Sequence, residues 1–171
     1  MIPLHPKFST LLFTIPFLFG LIKSMHAQQN IDDLLKKYNN NSVPYISIEE
    51  LKMDKENYIL LDTRKKEEYN VSHIPGAIWV GERLNTILLD SLQLKKTQPI
   101  VVYCSVGVRS ETYGNQMKNN GFTQIKNLYG SIFAWKNAGF AVIDLDGKET
   151  EKVHVYSKIW GKYLKNGLKV Y

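Results

Sequence analysis

The chain has 171 residues, of which 44% are hydrophobic, 22% charged and 12% aromatic, and its formal net charge is +6. This is the composition of an ordinary folded domain, and it excludes wholesale disorder, collagen and coiled-coil rods. The one cysteine, Cys104, excludes an internal disulfide, a CxxC redox pair and a multi-cysteine zinc site.

Lys7 precedes an apolar run from Leu11 to Ile22. The run is shorter than the ~20 residues of a comfortable membrane span and is interrupted by Pro16. Ser24-Met25-His26-Ala27 then offers a small-residue stop. Residues 1–27 therefore read as a secretory signal peptide, with an uncleaved anchor as the alternative. The expected location is periplasmic or secreted, with no stable membrane span after cleavage. Lipid attachment at this junction would need a cysteine there. Residues 28–171 suffice to bury roughly two-thirds of their unfolded surface. Lys7 and Lys23 leave with the leader, so the positive charge falls by two. The lysines at 36, 37, 65, 66, 95, 96 and 118 are dispersed among acids. That pattern describes a solvated surface, and no nucleic-acid partner is expected.

Residues 28–42 read as an N-terminal helix and linker, with Ile31, Leu34, Leu35 and Tyr38 on one helix face and a turn at 39–42. Val43 to Ile46 suits a strand. Ser47 caps a helix, with Glu50 at capping-box spacing. Tyr58 to Asp62 is a continuous apolar run, as in a buried parallel strand. A helical turn over 64–69, a turn at 74–77, a strand at 78–80 and a helix over 84–94 follow. Ile100 to Tyr103 is the strongest strand pattern and ends at Cys104. A helix is predicted from about Ser110 to Asn120, with Gly121 at C′. A strand at 125–129 and a helix at 131–138, with Gly139 at C′, complete the alternation. This is an α/β pattern with a mainly parallel central sheet flanked by helices, spanning 43–143. Residues 144–171 form a C-terminal extension in which Val153 to Tyr163 is amphipathic and packs back on the domain.

Chemistry concentrates between Cys104 and Ser110. Ligands of open parallel sheets bind beyond the carboxyl ends of strands, where Cys104 lies. The helix beginning just after it presents free N–H groups and a partial positive charge. Gly107 permits a tight turn, and Arg109 adds a full charge. A hundredfold preference for thiolate over thiol requires ~2.7 kcal/mol. A helix dipole supplies 0.3–1 and at most ~2 kcal/mol, so several N–H groups and Arg109 must contribute the rest. The expectation is a solvent-reachable sulfur wrapped in main-chain amides. The alternative is that Cys104 is a small buried hydrophobe.

Four segments carry a family resemblance. They are Leu60-Leu61-Asp62-Thr63-Arg64 with Glu67-Glu68-Tyr69; Ser72-His73-Ile74-Pro75-Gly76-Ala77; Cys104-Ser105-Val106-Gly107-Val108-Arg109-Ser110; and Leu128-Tyr129-Gly130-Ser131-Ile132-Phe133-Ala134-Trp135 with Ala138-Gly139-Phe140. In this order the chain resembles the single-domain rhodanese-like sulfurtransferases, although Ser72 and Ser131 stand where glycine is usual. The resemblance implies a rhodanese-like fold and no cofactor. It implies a persulfide on Cys104, which would take sulfur from a small anionic donor such as thiosulfate and pass it to cyanide, a thiol or a protein thiol. Residues Ser105, Val106, Gly107, Val108, Arg109 and Ser110 would bind the substrate, with Arg109 facing the anion and Ser110 either donating to the persulfide or capping the helix. Ser105 and Val106 are neutral where thiosulfate-handling members often carry basic residues. Arg64, Lys65 and Lys66 compensate only if they lie near the loop.

Asp62, Arg64 and His73 are candidates to support the site from behind it: Asp62 with Arg64 as an ion pair, His73 as a turn residue. Trp79, Trp135 and Trp160 read as packing aromatics, and His154 has no partner motif. With one cysteine and few histidines, no metal site is expected. Two rivals are a cysteine phosphatase and a non-catalytic sulfur-sensing or protein-interaction module. The phosphatase reading is disfavoured because Cys104 to Arg109 is one residue shorter than a Cys-x5-Arg loop.

Overall fold

The computed structural model describes residues 31–171; the leader expected over 1–27 and residues 28–30 of the N-terminal segment lie outside them. Helix α1 is present over 31–38. It is followed by β1 (Tyr45–Ile46), α2 (Ile48–Asp54), a 3-10 turn (Lys55–Asn57), β2 (Ile59–Asp62), α3 (Lys66–Val71), β3 (Ile78–Trp79) and α4 (Thr86–Ser91). Then come β4 (Ile100–Tyr103), α5 (Val108–Asn119), β5 (Ile125–Leu128) and α6 (Ser131–Asn137). The C-terminal segment contributes β6 (Val142–Ile143), β7 (Glu149–Thr150), β8 (Lys152–His154), α7 (Lys158–Gly161) and β9 (Leu168–Val170).

Strands β1 to β5 form one parallel sheet in the order β1-β5-β4-β2-β3. All four residues of the central β4 are buried, as a strand covered on both faces requires. Its side chains alternate between two apolar layers. Val101 and Tyr103 join α1, α2, α6 and the C-terminal segment. Ile100 and Val102 join Leu89 of α4 and Tyr113 and Met117 of α5. Layers on both faces leave the carboxyl ends of β4 and β2 as the place where loops meet.

Local chemistry accounts for the helix ends and revises some of the expected ones. Ser47 Oγ accepts the Glu50 N–H at 3.0 Å and caps α2. The reciprocal half of the capping box is replaced, because the Glu50 carboxylate takes Lys126 Nζ at 2.8 Å. The helix expected over 84–94 is shorter, beginning where Asn85 Oδ1 accepts the Leu88 N–H. Helix α5 starts at Val108, ahead of the expected Ser110. Gly121 and Gly139 close α5 and α6.

The tail differs most from a simple amphipathic segment. It makes a parallel pair, β8 with β9, joined through the short α7. Asn137 at the end of α6 holds it: Nδ2 donates to Tyr163 O, while Oδ1 accepts the N–H of Lys165 and Asn166. Val153, Val155 and Leu164 are buried in the main core. Among the described residues, no helix is long and apolar enough to cross a membrane.

Candidate active site

Cys104 follows β4 directly, and the turn it begins is fastened from three sides. Its own N–H donates to Ser131 Oγ at 3.1 Å. The first N–H groups of α6 donate to the loop's carbonyls, Ile132 to Cys104 and Phe133 to Ser105. These amides would otherwise lack partners at a helix start. Gly107 O accepts from Asn39 Nδ2 at 2.9 Å and Asn127 Nδ2 at 2.8 Å. The turn itself passes through Gly107 at φ +108, in a region side chains rarely adopt. At Gly130 (φ +66) a Cβ would lie 2.5 Å from that of Ala134, so only glycine fits before α6. Ser131, standing where glycine is usual, accepts φ +53 and adds the hydroxyl that receives the Cys104 amide.

The loop's amides face the sulfur. The Gly107 N–H donates to Cys104 Sγ at 3.2 Å, and Ser110 Oγ lies 3.6 Å from it. Burial pushes the thiol up. The Arg109 charge, the Ser110 hydroxyl and the N–H groups of Ser110 and Gly107 outweigh this, holding Cys104 below its ordinary value. Ser110 has one hydroxyl proton, and Asn127 Oδ1, 2.7 Å away, competes for it. An anionic sulfur is a stronger rival acceptor for that proton than a neutral thiol. Ser110 thus contacts the sulfur as well as standing in the first turn of α5.

Exposure is where the site departs from expectation. Cys104 is 1% exposed instead of open to solvent. It lies on a cleft of about 230 Å³ lined by Ser105, Val106, Val108 and Arg109 on the loop side and by Tyr156 and Trp160 of the C-terminal segment. Trp160, expected only to pack, also walls this cleft. Nothing local in the sequence connects either aromatic to a loop some fifty residues earlier.

Arg109 is not a bare cation. Its Nη1 donates to Glu68 Oε2 at 2.8 Å and Glu82 Oε1 at 2.6 Å, and its Nη2 donates to Glu68 Oε1 and Ser105 Oγ, both at 2.9 Å. Glu68 is fully buried and also accepts the Ser105 hydroxyl and the Lys65 N–H. Burial alone would raise its carboxyl, but Arg109 and then Arg64 hold it below the ordinary carboxylate value. The sequence assigns no site role to Glu68, which it offers only within the resemblance segment, and none to Asn127. The detectable signals are a carboxylate at N3 of α3 and an amide inside a buried strand.

Asp62 and Arg64 form a fully buried pair at 2.6 Å, with Arg64 Nη2 also donating to Ser72 O. Arg64 is therefore committed to the β2 end of the sheet, and Lys66 Nζ lies 4.4 Å from the Trp79 ring centre. Of the three candidate cations only Lys65 nears the cleft, 5.2 Å from the Tyr156 ring centre. His73 pairs its backbone with Ile143 and stacks on Tyr69 at 4.0 Å. Burial lowers its pKa. Its contacts belong to the turn and not to the cysteine loop.

A sequence profile described as the Rhodanese-like domain matches residues 48–138, more than half of the chain. The chain belongs to the rhodanese-like family. Among curated proteins, this rhodanese-like chain is 27% identical over 107 residues to a sulfurtransferase of Allochromatium vinosum, covering 63% of this chain and 98% of that one. It is 30% identical over 87 residues to a tRNA uridine(34) hydroxylase of Wigglesworthia glossinidia brevipalpis, covering 48% of this chain. The solution structure of a rhodanese-like domain from Anabaena sp. superposes with a TM-score of 0.53 at 28% identity, covering 60% of this chain and 80% of that one. The chain spans 28%, 20% and 53% of the length of three other curated relatives it matches, the hydroxylase among them.

Proposed function

We propose that the chain is a persulfide-forming sulfurtransferase that moves a sulfane sulfur from a small anionic donor to a thiophilic acceptor through Cys104. One observation carries this reading: the sulfur sits 3.2 Å from the Gly107 N–H at the start of α5, in surroundings that favour its anion. With thiosulfate as donor, the Cys104 thiolate attacks the outer sulfur and a Cys104–S bond forms. The donor's S–S bond breaks, and its electron pair leaves with sulfite. The resulting Cys–S–S⁻ keeps its negative charge beside the loop amides, which favour charge there without reorganising. An acceptor, cyanide or a thiolate, then attacks the terminal sulfur, and the S–S electron pair returns to Cys104. Likeness to the Allochromatium vinosum sulfurtransferase supports sulfur transfer as the reaction class.

The test is the intact mass of purified protein after exposure to thiosulfate. The expected result is a gain of one sulfur atom, removed by a reductant and absent in Cys104→Ala. Failure to load sulfur from any donor would replace this reading with a non-catalytic sensing or interaction module. We further read residues 1–27 as an export leader, supported by the apolar run 11–22 with Lys7 before it and Ala27 after it. This assigns the reaction to the periplasm or the exterior, and loss of residues 1–27 in the same mass spectrum tests it.

A further inference from the structure

The donor's other half must occupy what faces Cys104 across the cleft. Tyr156 stands there at φ +62, a left-handed conformation that costs a bulky residue energy. Such a conformation persists only where its surroundings over-determine it. Its N–H donates to His154 Nδ1 at 3.0 Å. Its ring centre lies 5.2 Å from Lys65 Nζ and 5.0 Å from the Arg109 guanidinium carbon, both within cation–π reach. Trp160 is fixed by tilted contacts with Tyr38 and Tyr163 at 6.4 and 6.2 Å. Val106 and Val108 complete an apolar wall. Meanwhile the Arg109 charge is already matched by Glu68 and Glu82. A dianion such as thiosulfate would have to give up hydration for apolar surface, an Arg109 already paired and a Lys65 Nζ engaged with the Tyr156 ring and Glu67, an unfavourable exchange.

Resting on the sulfur-transfer reading above, we propose that Tyr156 and Trp160 are specificity-determining residues. They select a singly charged organic sulfane-sulfur donor with an apolar or aromatic substituent, of which an organic thiosulfonate, R–SO2–S⁻, is the test case. In the loading step the Cys104 thiolate attacks the terminal sulfur and forms Cys–S–S⁻. The S–SO2 bond breaks, and its electron pair leaves with the sulfinate R–SO2⁻. No oxidant or reductant is needed. The substituent R lies against the two aromatic rings while the sulfur meets the loop amides.

The experiment compares second-order rates of sulfur loading onto Cys104, read by quenched intact mass, for benzenethiosulfonate, methanethiosulfonate and thiosulfate. Benzenethiosulfonate is expected to load about tenfold faster than methanethiosulfonate, the discrimination an apolar pocket achieves for an added hydrocarbon group. In Tyr156→Gly, whose φ suits glycine, and in Tyr156→Asn, that ratio is expected to fall about fivefold, the scale of a lost aromatic contact. A merely structural role for Tyr156 would slow both donors equally and leave the ratio unchanged. Equal wild-type rates for the two thiosulfonates, fastest loading by thiosulfate, or an unchanged ratio in both variants would each overturn the selectivity while leaving sulfur transfer intact. If none of the three donors loads sulfur, the sulfur-transfer reading itself falls and takes the selectivity with it.

Discussion

Both terminal nitrogens of Arg109 donate to the buried carboxylate of Glu68, at 2.8 and 2.9 Å, so the cation beside the cysteine is positioned by an acid on α3. Glu68→Gln keeps the shape but removes the charge. It is expected to cost about 2–3 kcal/mol of stability, the scale of a hydrogen bond to a charged group left half-satisfied. Chemical denaturation measures this. The pH dependence has a definite sign. A carboxyl held below its ordinary value stabilises the fold fully above that ordinary value, and the contribution is lost as pH falls through the native one. Wild-type stability should therefore drop more steeply than that of Glu68→Gln below about pH 4.5, the ordinary value. Equal acid limbs would show that the carboxylate is not held low by Arg109.

The thiol of Cys104 lies below its ordinary value despite burial, because Arg109, the Ser110 hydroxyl and two amides favour the anion. Alkylation of a free thiol tracks its thiolate fraction, so the half-maximal rate should come at lower pH than for an unperturbed cysteine. Removing the hydroxyl in Ser110→Ala takes one donor away from the anion. The midpoint of the profile should then move to higher pH, with the plateau rate preserved. A midpoint that stays in place would show that the 3.6 Å approach of Ser110 Oγ to sulfur has no electrostatic consequence.

A contrasting outcome is expected at the Asp62–Arg64 pair. Both side chains have no exposed surface, and the guanidinium also serves Ser72 O. Asp62→Asn leaves a buried cation without its counter-charge, which costs about 3–5 kcal/mol. The alkylation profile of Cys104 in the variant that remains folded should stay where the wild type has it, because Arg109 and not Arg64 is the cation that acts on the sulfur. A shifted profile would draw Arg64 into the site.

The alternation of strands and helices was legible because β2 and β4 are short apolar runs bounded by turn residues, and the cysteine loop because Gly107 and Arg109 follow Cys104 at fixed spacing. What escaped notice depends on long-range pairing. Strand β8 has three residues with one buried, too few to show a period, and it exists because β9 returns beside it. The return passes Gly167 (φ +101), where a Cβ would lie 2.8 Å from the Glu151 carbonyl. Tyr156 and Trp160 reach the cleft through that pairing, so no local pattern announced them. Glu68 stands in the sequence only as part of Glu67-Glu68-Tyr69, because its partners Ser105 and Arg109 lie 37 and 41 positions away.

Asn127 offers the sharpest test of how the loop is held. It is fully buried in β5, with Nδ2 donating to Gly107 O at 2.8 Å and Oδ1 accepting from Ser110 Oγ at 2.7 Å. One side chain thus fixes both the turn residue and the hydroxyl that face the sulfur. Asn127→Ala leaves Gly107 O with Asn39 alone and frees the Ser110 rotor. The loss of two buried hydrogen bonds is expected to cost about 1–3 kcal/mol. Because an unfixed loop must be ordered when the anion forms, sulfur loading should slow by about tenfold, within the range for misplacement of a reacting group. Lys126→Ala removes a half-buried neighbour whose partners are Glu50 and Tyr58, away from the loop. It should leave loading unchanged. If Asn127→Ala loads sulfur at the wild-type rate while losing stability, Asn127 supports the sheet alone and the loop holds its shape through Ser131 and α6.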